Sequence, residues 1–298
     1  DALTPSHCER GTNPGTISNL TCIKQAACTW AGDQDYASRG YALDVGGDVN
    51  GDGWPDLVVG APTEDIIVED TVIGTDSGAV HIWLNVGKTS VTDPSGTIYG
   101  PISGGYLGYS VAIAPDINGD GLDDIIAGGR GNSASGILAG GTAMLILGRA
   151  DEWDTDISAD HTWTGETLYG RVGSHVRGTE DLNGDGLGEL LIATHQKQVT
   201  SGGYETIGRG RVAIIFGTAD LTAIASLDEP DADFEGAGAM DGAGTAFTTG
   251  DLNGDGHLEV IIGSPYGDSN RGRVDIIQGQ AEPISGTYTT ELAQLSLK

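Results

Sequence analysis

Four copies of one acidic loop constrain the fold of this sequence more than any other feature. Each copy reads D-x-N-G-D-G-x-x-[D/E], and the copies begin at Asp48, Asp116, Asp181 and Asp251, so they are 68, 65 and 70 residues apart. An apolar run follows every loop, and a glycine with a second apolar run comes 21 to 30 residues after each loop begins. These patterns predict a repeated unit of strand, glycine-rich turn, strand, acidic loop, strand, turn and strand.

The apolar runs that follow the loops indicate how the strands are packed. They read LVVG, IIAG, LLIA and VIIG, whereas a strand with one solvated face would alternate polar and apolar residues. Such runs need cover on both faces, and sheets stacked around an axis provide it. We therefore predict an all-β chain, a β-propeller of four-stranded blades with four repeats. A β-sandwich does not explain the repeat length, and a helical solenoid would need a 3.6-residue period.

Composition limits the partners of the chain. It has 50 glycines among 298 residues, in line with many tight turns, and a formal net charge of −29. That charge repels nucleic acids and anionic membrane surfaces. No apolar run reaches the roughly 18 residues of a membrane span, and the sequence contains no signal-peptide pattern. We expect a mature, secreted or cell-surface chain that does not insert into a membrane.

All three cysteines, Cys8, Cys22 and Cys28, lie in an N-terminal segment, residues 1–29, that precedes the repeats at 30–298. In an oxidising compartment, one disulfide with one thiol left over is expected, and the sequence does not select among the three pairings. Three buried free thiols are the alternative interpretation.

The loops at 48–56, 116–124, 181–189 and 251–259 carry candidate metal ligands. Counted from the first aspartate, side-chain oxygens fall at positions 1, 3, 5 and 9, and position 7 offers a backbone carbonyl. Glycines at positions 4 and 6 let the chain turn tightly. The ligand sets are Asp48, Asn50, Asp52, Trp54 and Asp56; Asp116, Asn118, Asp120, Leu122 and Asp124; Asp181, Asn183, Asp185, Leu187 and Glu189; and Asp251, Asn253, Asp255, His257 and Glu259.

An all-oxygen ligand set of this kind suits Ca²⁺ better than zinc or copper, and magnesium is the weaker candidate because it retains its waters. The sequence therefore predicts four Ca²⁺ sites, and cation binding should contribute to folding. The EF-hand is excluded because that motif needs a bidentate carboxylate at position 12 of the loop and a helix on either side of it. Position 12 here is apolar in every copy: Val59, Ala127, Ile192 and Ile262.

The loops and the ends of the strands around them resemble the FG-GAP repeats of integrin α-subunit propellers. The similarity covers about residues 30–290 and includes Gly40-Tyr41, Gly108-Tyr109, Gly60-Ala61-Pro62 and Gly263-Ser264-Pro265, although Thr245 follows Gly244 where an aromatic residue is typical. The resemblance implies calcium in hairpin loops on one face of the propeller and ligand binding by longer loops on the other. The candidate ligand loops are 61–77, 130–140, 195–210 and 266–271.

We expect no enzyme, because no H-E-x-x-H or G-x-S-x-G motif accompanies the six histidines or the cysteines. The leading hypothesis is an extracellular adhesion or recognition module for a protein or glycan ligand that the sequence does not identify. One alternative is a structural subunit that assembles end to end through its chain ends, and another is a lectin or a hydrolase-associated module.

The C-terminal region adds an expectation about the ring. Ser285-Gly286-Thr287-Tyr288 reads as a further copy of the aromatic strand at Ser95–Tyr99, so the chain contains four repeats and the first strand of a fifth. Two explanations stay open: the ring is incomplete in this chain, or the extra strand completes a blade of this chain or of a neighbour. An unpaired strand edge is rarely left bare, so we favour pairing with another segment or chain.

Overall fold

A computed structural model describes residues 32–85, 93–133, 136–150, 153, 157–194, 199–201, 204–206, 208–280, 283–289 and 295–297, with side chains omitted for 199–201, 204–206 and 295–297. The N-terminal segment with Cys8, Cys22 and Cys28 lies outside the described residues, so the disulfide stays a prediction. No helix among the described residues is long and apolar enough to cross a lipid bilayer.

The chain folds into four consecutive sheets, the blades. Blade 1 contains β1 (Ala42–Val45), β2 (Leu57–Ala61), β3 (Ile66–Val68), β4 (Thr71–Gly74), β5 (Ala79–Trp83) and β6 (Gly96–Tyr99). Its sheet has the order β1-β2-β5-β6, and β3 and β4 form a separate hairpin. Blade 2 contains β7 (Leu107–Ala114), β8 (Asp124–Gly129), β9 (Thr142–Ile146) and β10 (His161–Thr164), again in sequential order.

Blades 3 and 4 repeat this plan with additions. Blade 3 contains β11 (Val172–Thr179), β12 (Glu189–Thr194), the hairpin of β13 (Val199–Ser201) and β14 (Tyr204–Thr206), β15 (Arg211–Phe216), a 3₁₀ turn at Leu221–Ala223 and β16 (Ala232–Glu235). Blade 4 contains β17 (Ala246–Gly250), β18 (Glu259–Ser264), a short helical turn at Gly267–Asn270 and β19 (Arg273–Ile277). The last strands are β20 (Gly286–Thr289) and β21 (Leu295–Leu297), of which β21 completes blade 4.

Apolar side chains from facing blades form three cores. Between blades 1 and 2, Val58 and Ile82 pack with Ile125 and Ile146. Consecutive strand residues point to opposite faces, so the neighbouring Ile126 belongs instead to the core between blades 2 and 3. The other two cores are built alike, from Ile126, Leu145, Leu190 and Ile215 between blades 2 and 3, and from Leu191, Ile214, Val260 and Ile262 between blades 3 and 4. Burial on both faces explains the continuous apolar runs, and the predicted propeller of stacked sheets is confirmed.

Glycines allow neighbouring blades to approach at the strands that follow the acidic loops. A Cβ added to Gly60 of β2 would lie 2.0 Å from the carbonyl oxygen of Gly108 in β7, which itself has φ +86°. A Cβ on Gly128 of β8 would lie equally close, 2.0 Å, to the carbonyl oxygen of Gly173 in β11. The glycine after one loop therefore packs against the glycine that opens the next blade, which gives these motif positions a physical role.

The series of blades has two open faces. Position 2 of each loop inserts an apolar side chain toward the next blade, so Val49, Ile117 and Leu182 are buried, whereas Leu252 of the fourth loop is 62% exposed. At the other end, Leu43 and Val45 of β1 are also exposed. Within the described part of the chain, the four blades thus form an incomplete ring.

The C-terminal strands differ from the expectation. Gly286–Thr289 is a strand, but it does not repeat the role of Ser95–Tyr99, which pairs antiparallel with the third strand of its blade. It pairs in parallel with β16 of blade 3, where Tyr288 lies opposite Phe234 and packs against the core of blades 3 and 4. The edge of β19 is taken instead by Leu295–Leu297. Both strands thus pair with other segments of this chain, and the proposed equivalence to the aromatic strand is wrong.

Candidate metal centres

The four acidic loops lie together at one end of the propeller. Each connects the innermost strand of its blade to the second strand, and consecutive loops are joined by hydrogen bonds. The amide of Asp123 donates to the carbonyl oxygen of Asp48 at 3.2 Å, and the amide of Gly188 donates to that of Asp116 at 2.8 Å. The first three loops therefore link blade to blade, so ordering one loop restrains its neighbours.

The loops share one internal geometry. The glycines at positions 4 and 6 all have φ between +73° and +89°, a region that residues with a Cβ rarely adopt. The amide of the position 6 glycine donates to Oδ2 of the position 1 aspartate at 2.7–2.9 Å. The position 3 asparagine bonds to position 5 through both its amide atoms. The aspartates at positions 1 and 5 are thereby held on one side of a tight turn.

The position 9 acid anchors each loop in the interior. Asp56, Asp124, Glu189 and Glu259 are all buried, and one oxygen of each accepts the amide of position 2. The second oxygen accepts a further amide in three loops, from Asn85, Gly148 and Gly279. Burial is the main cause that raises the pKa of Asp124 to about 7. The charges of Asp120 and Asp116 act in the same direction, and hydrogen bonds from backbone amides oppose the shift.

The third loop has the geometry of a cation site. Ligand oxygens of Asp181, Asp185 and Glu189 all lie within 4.8 Å of one another. Oε1 of Glu189 is buried and has no hydrogen-bond partner among the described residues. Burial, together with the charges of Asp181 and Asp185, raises the pKa of Glu189 to about 8. A bound cation would satisfy the orphaned oxygen and neutralise the repulsion, so these residues fit a hard metal ion.

In the other three loops, the carboxylate oxygens are not brought as close together. Within the described ranges, the third loop alone brings three carboxylates to within 4.8 Å of one another, although the same residue types stand in all four. In the first, second and fourth loops, the second oxygen of the position 9 acid is engaged by backbone amides. The ligand sets predicted there are in place along the turns, and their binding of calcium stays a prediction.

The candidate ligand loops lie at the opposite end, where they connect the second and third strands. The first, 61–77, contains the β3–β4 hairpin, which exposes Ile67, Val68, Val72 and Ile73. Glu64, one of its acids, is not available to a ligand because it is 2% exposed and pairs with Nε2 of His81 at 2.9 Å. In the loop at 266–271, Tyr266 is exposed. The loops 130–140 and 195–210 are described only in part.

Sequence patterns did not indicate one further feature, a central cavity of about 490 Å³ along the innermost strands. It is lined by residues from the innermost strands and their connections, including Tyr41, Tyr109, Arg130, Arg171, His175 and Arg177. These residues come from three blades, and no local motif unites them. The three arginines show no regular spacing in the sequence, and only the packing of the blades brings them to the wall of one cavity.

Comparison with known proteins supports the architecture. A family model described as FG-GAP repeat matches residues 39–83, 107–138 and 243–277, which fall in blades 1, 2 and 4. The chain therefore contains FG-GAP repeats, and the resemblance noted in the sequence is confirmed. The third loop lies outside the matched residues, yet it has the same pattern and the most contracted carboxylate cluster.

Several curated proteins are similar to parts of the chain. Integrin alpha-IIb of Mus musculus is 26% identical over 268 residues, which cover 86% of this chain and 23% of that protein. Integrin alpha-3 of Cricetulus griseus is 42% identical over 98 residues, 33% of this chain and 9% of that protein. Phosphatidylinositol-glycan-specific phospholipase D of Dictyostelium discoideum is 27% identical over 208 residues, which cover 64% of this chain and 21% of that protein. The chain thus spans less than a quarter of these relatives.

Proposed function

We propose that this chain is an extracellular or cell-surface β-propeller, stabilised by four calcium ions, that acts in adhesion or ligand recognition rather than catalysis. The observation that carries the proposal is the contracted cluster of Asp181, Asp185 and Glu189, with its buried, unbonded oxygen. The same residue types recur in three further loops, and hydrogen bonds connect the first three loops to one another. Calcium in the loops would hold the blades in fixed relative positions.

The recognition part of the proposal rests on the separation of the two ends. At one end the loops are short and acidic, and at the other the longer connections expose an apolar hairpin and border the central cavity. Exposed apolar groups on a monomeric surface are typical of binding sites. The similarity to integrin α-subunits is compatible with a protein ligand, and the similarity to a phospholipase D leaves a hydrolase-associated role as the alternative.

Glu189→Gln tests the cation site directly. The neutral amide has nearly the same shape, so without calcium the variant is expected to be at least as stable as the wild type, because a buried unpaired acid is removed. With calcium, the variant should lose one site and much of the associated rise in melting temperature. Glu166→Gln, an exposed change of the same chemistry outside the loops, is the matched control. Equal calcium stoichiometry in Glu189→Gln and wild type would contradict the site.

The molar mass of the protein in solution distinguishes a recognition module from a structural subunit. Light scattering over a wide range of protein concentration, with calcium and with EDTA, should show a concentration-independent species in calcium if the chain is a recognition module. Assembly that grows with concentration would favour a structural subunit. Hydrolysis of a phosphatidylinositol-glycan substrate by the purified chain would contradict the assignment as a non-enzyme.

A further inference from the structure

We propose that the central cavity binds a carboxylate, presented by an acidic side chain of a protein partner, through Arg130 and Arg171. This inference adds a ligand class to the recognition function proposed above and rests on that function for its partner. The site itself is separate from the calcium loops, which lie at the other end of the blades. Its binding is therefore measured independently of calcium stoichiometry.

The charge around the cavity is opposite to that of the chain. Although the formal net charge is −29, three of the 14 basic residues line this one space: Arg130, Arg171 and Arg177. Among the described residues, none of the three has a carboxylate within 4.0 Å, which is also true of Arg209 and Arg271, whereas Arg39, Arg149, Arg211 and Arg273 all form ion pairs. A chain with 43 acidic residues thus leaves these guanidinium groups without an acidic partner, and an anionic ligand would provide one.

The side chain of one arginine and the backbone of a second are held in place before any ligand arrives. The guanidinium carbon of Arg130 lies 3.9 Å from the centre of the Tyr109 ring, a cation–π stack that fixes its plane. Arg171 has φ +50°, and its amide donates to the carbonyl oxygen of Ala139 at 2.9 Å. Tyr41 in turn packs on Tyr109 with 4.8 Å between ring centroids. The guanidinium of Arg130 is therefore oriented, which reduces the entropy lost on binding.

Asp44 adds an acidic group to the cavity lining, and that group is bonded to backbone amides rather than to an arginine. Both oxygens of Asp44 are taken by backbone amides, those of Val45 and Ile113, each at 2.9 Å. Burial lowers the pKa of His175, and the positive charge of Arg177 acts in the same direction, so the imidazole is neutral at physiological pH. Arg177 adds positive charge along the same innermost strand.

A carboxylate suits this site better than a phosphate. The planar guanidinium fork matches both groups, but the overall negative charge of the chain opposes a dianion more strongly than a monoanion. The exposed ring of Tyr41, which also lines the cavity, provides apolar contact for the stem that carries the carboxylate. The exposed Ile67, Val68, Val72 and Ile73 on the hairpin at the same end favour a protein surface over a hydrophilic glycan.

The test is calorimetric titration of the calcium-saturated chain with a blocked Gly-Asp-Gly peptide. A blocked Gly-Asn-Gly peptide, glucuronate and inorganic phosphate are the comparison probes. The acidic peptide should bind and its amide counterpart should not. Arg130→Gln and Arg171→Gln should each weaken binding about tenfold or more, since a charged hydrogen bond is lost. Arg149→Gln, which removes an arginine that pairs with Asp160, is the matched control and should bind as the wild type does.

Folding of each variant is checked separately, so that a loss of binding can be attributed to the missing guanidinium group and not to unfolding. Melting temperatures of the arginine variants should match the wild type, and Arg130→Lys, which keeps the charge without the fork, should bind with intermediate affinity. Equal binding of both peptides, or unchanged binding in Arg130→Gln and Arg171→Gln, would overturn the inference. Stronger binding of phosphate or glucuronate would reject a protein carboxylate as the ligand. Calcium binding without peptide binding would refute the inference alone and leave the calcium sites intact.

Discussion

Substitution of Gly60 by alanine tests how the blades are joined. The added Cβ would lie 2.0 Å from the carbonyl oxygen of Gly108 and 2.8 Å from its carbonyl carbon, and both obstacles belong to backbone. A normal contact requires a separation more than 1 Å greater, so blades 1 and 2 would have to part along a core that contains Val58 and Ile125. Overpacking of a core costs about 1–3 kcal/mol, and rigid backbone on both sides predicts the upper end, about 3 kcal/mol.

Blade 4 offers the matched control for this substitution. Gly263 occupies the same motif position, but no blade follows it among the described residues, and an added Cβ would lie 3.3 Å from the carbonyl oxygen and 3.9 Å from the Cβ of Ala246. Gly263→Ala should change the free energy of unfolding by no more than about 0.5 kcal/mol. The assay is urea denaturation of both variants in saturating calcium. A difference of less than about 0.5 kcal/mol between Gly60→Ala and Gly263→Ala would refute the glycine contact between blades.

Three further predictions concern other parts of the chain. Asp120→Ala should remove the calcium bound to the second loop and lower the melting temperature in calcium, because position 5 supplies a ligand; an unchanged calorimetric titration would contradict this. Glu64→Gln should destabilise the fold by about 1–3 kcal/mol, because the buried partner of His81 loses its charge, and urea denaturation measures it. Mass spectrometry without reductant should find one disulfide among Cys8, Cys22 and Cys28, and three free thiols would disprove it.

The sequence predicted the features that depend on local pattern. The loops recur with fixed spacing, and continuous apolar runs such as LVVG require cover on both faces, so the propeller and its loop positions could be inferred. The apolar run that follows Gly78 was likewise visible in the sequence, and it forms β5, Ala79–Trp83. In these places one chemical requirement, burial or a tight turn, determines the residue types.

Features that depend on contacts distant in sequence could not be predicted. Tyr288 resembled the aromatic residues of the outer strands. However, Leu295–Leu297 takes the edge of β19, and Gly286–Thr289 pairs with β16. In that position Tyr288 lies opposite Phe234 and packs against an existing core. Glu64 looked like a loop acid because nothing near it in sequence indicates that His81 lies beside it. The arginines of the central cavity come together only when separate blades assemble.

The central claim is that the four loops are calcium sites that stabilise the propeller. Calorimetric titration of the metal-free chain with CaCl₂, followed by thermal unfolding in calcium and in EDTA, tests it most directly. We predict four bound Ca²⁺ ions per chain and a single, higher melting transition in calcium, because hydrogen bonds connect loops of successive blades. Clearly fewer than four sites, or a melting curve that is the same in calcium and in EDTA, would contradict the claim.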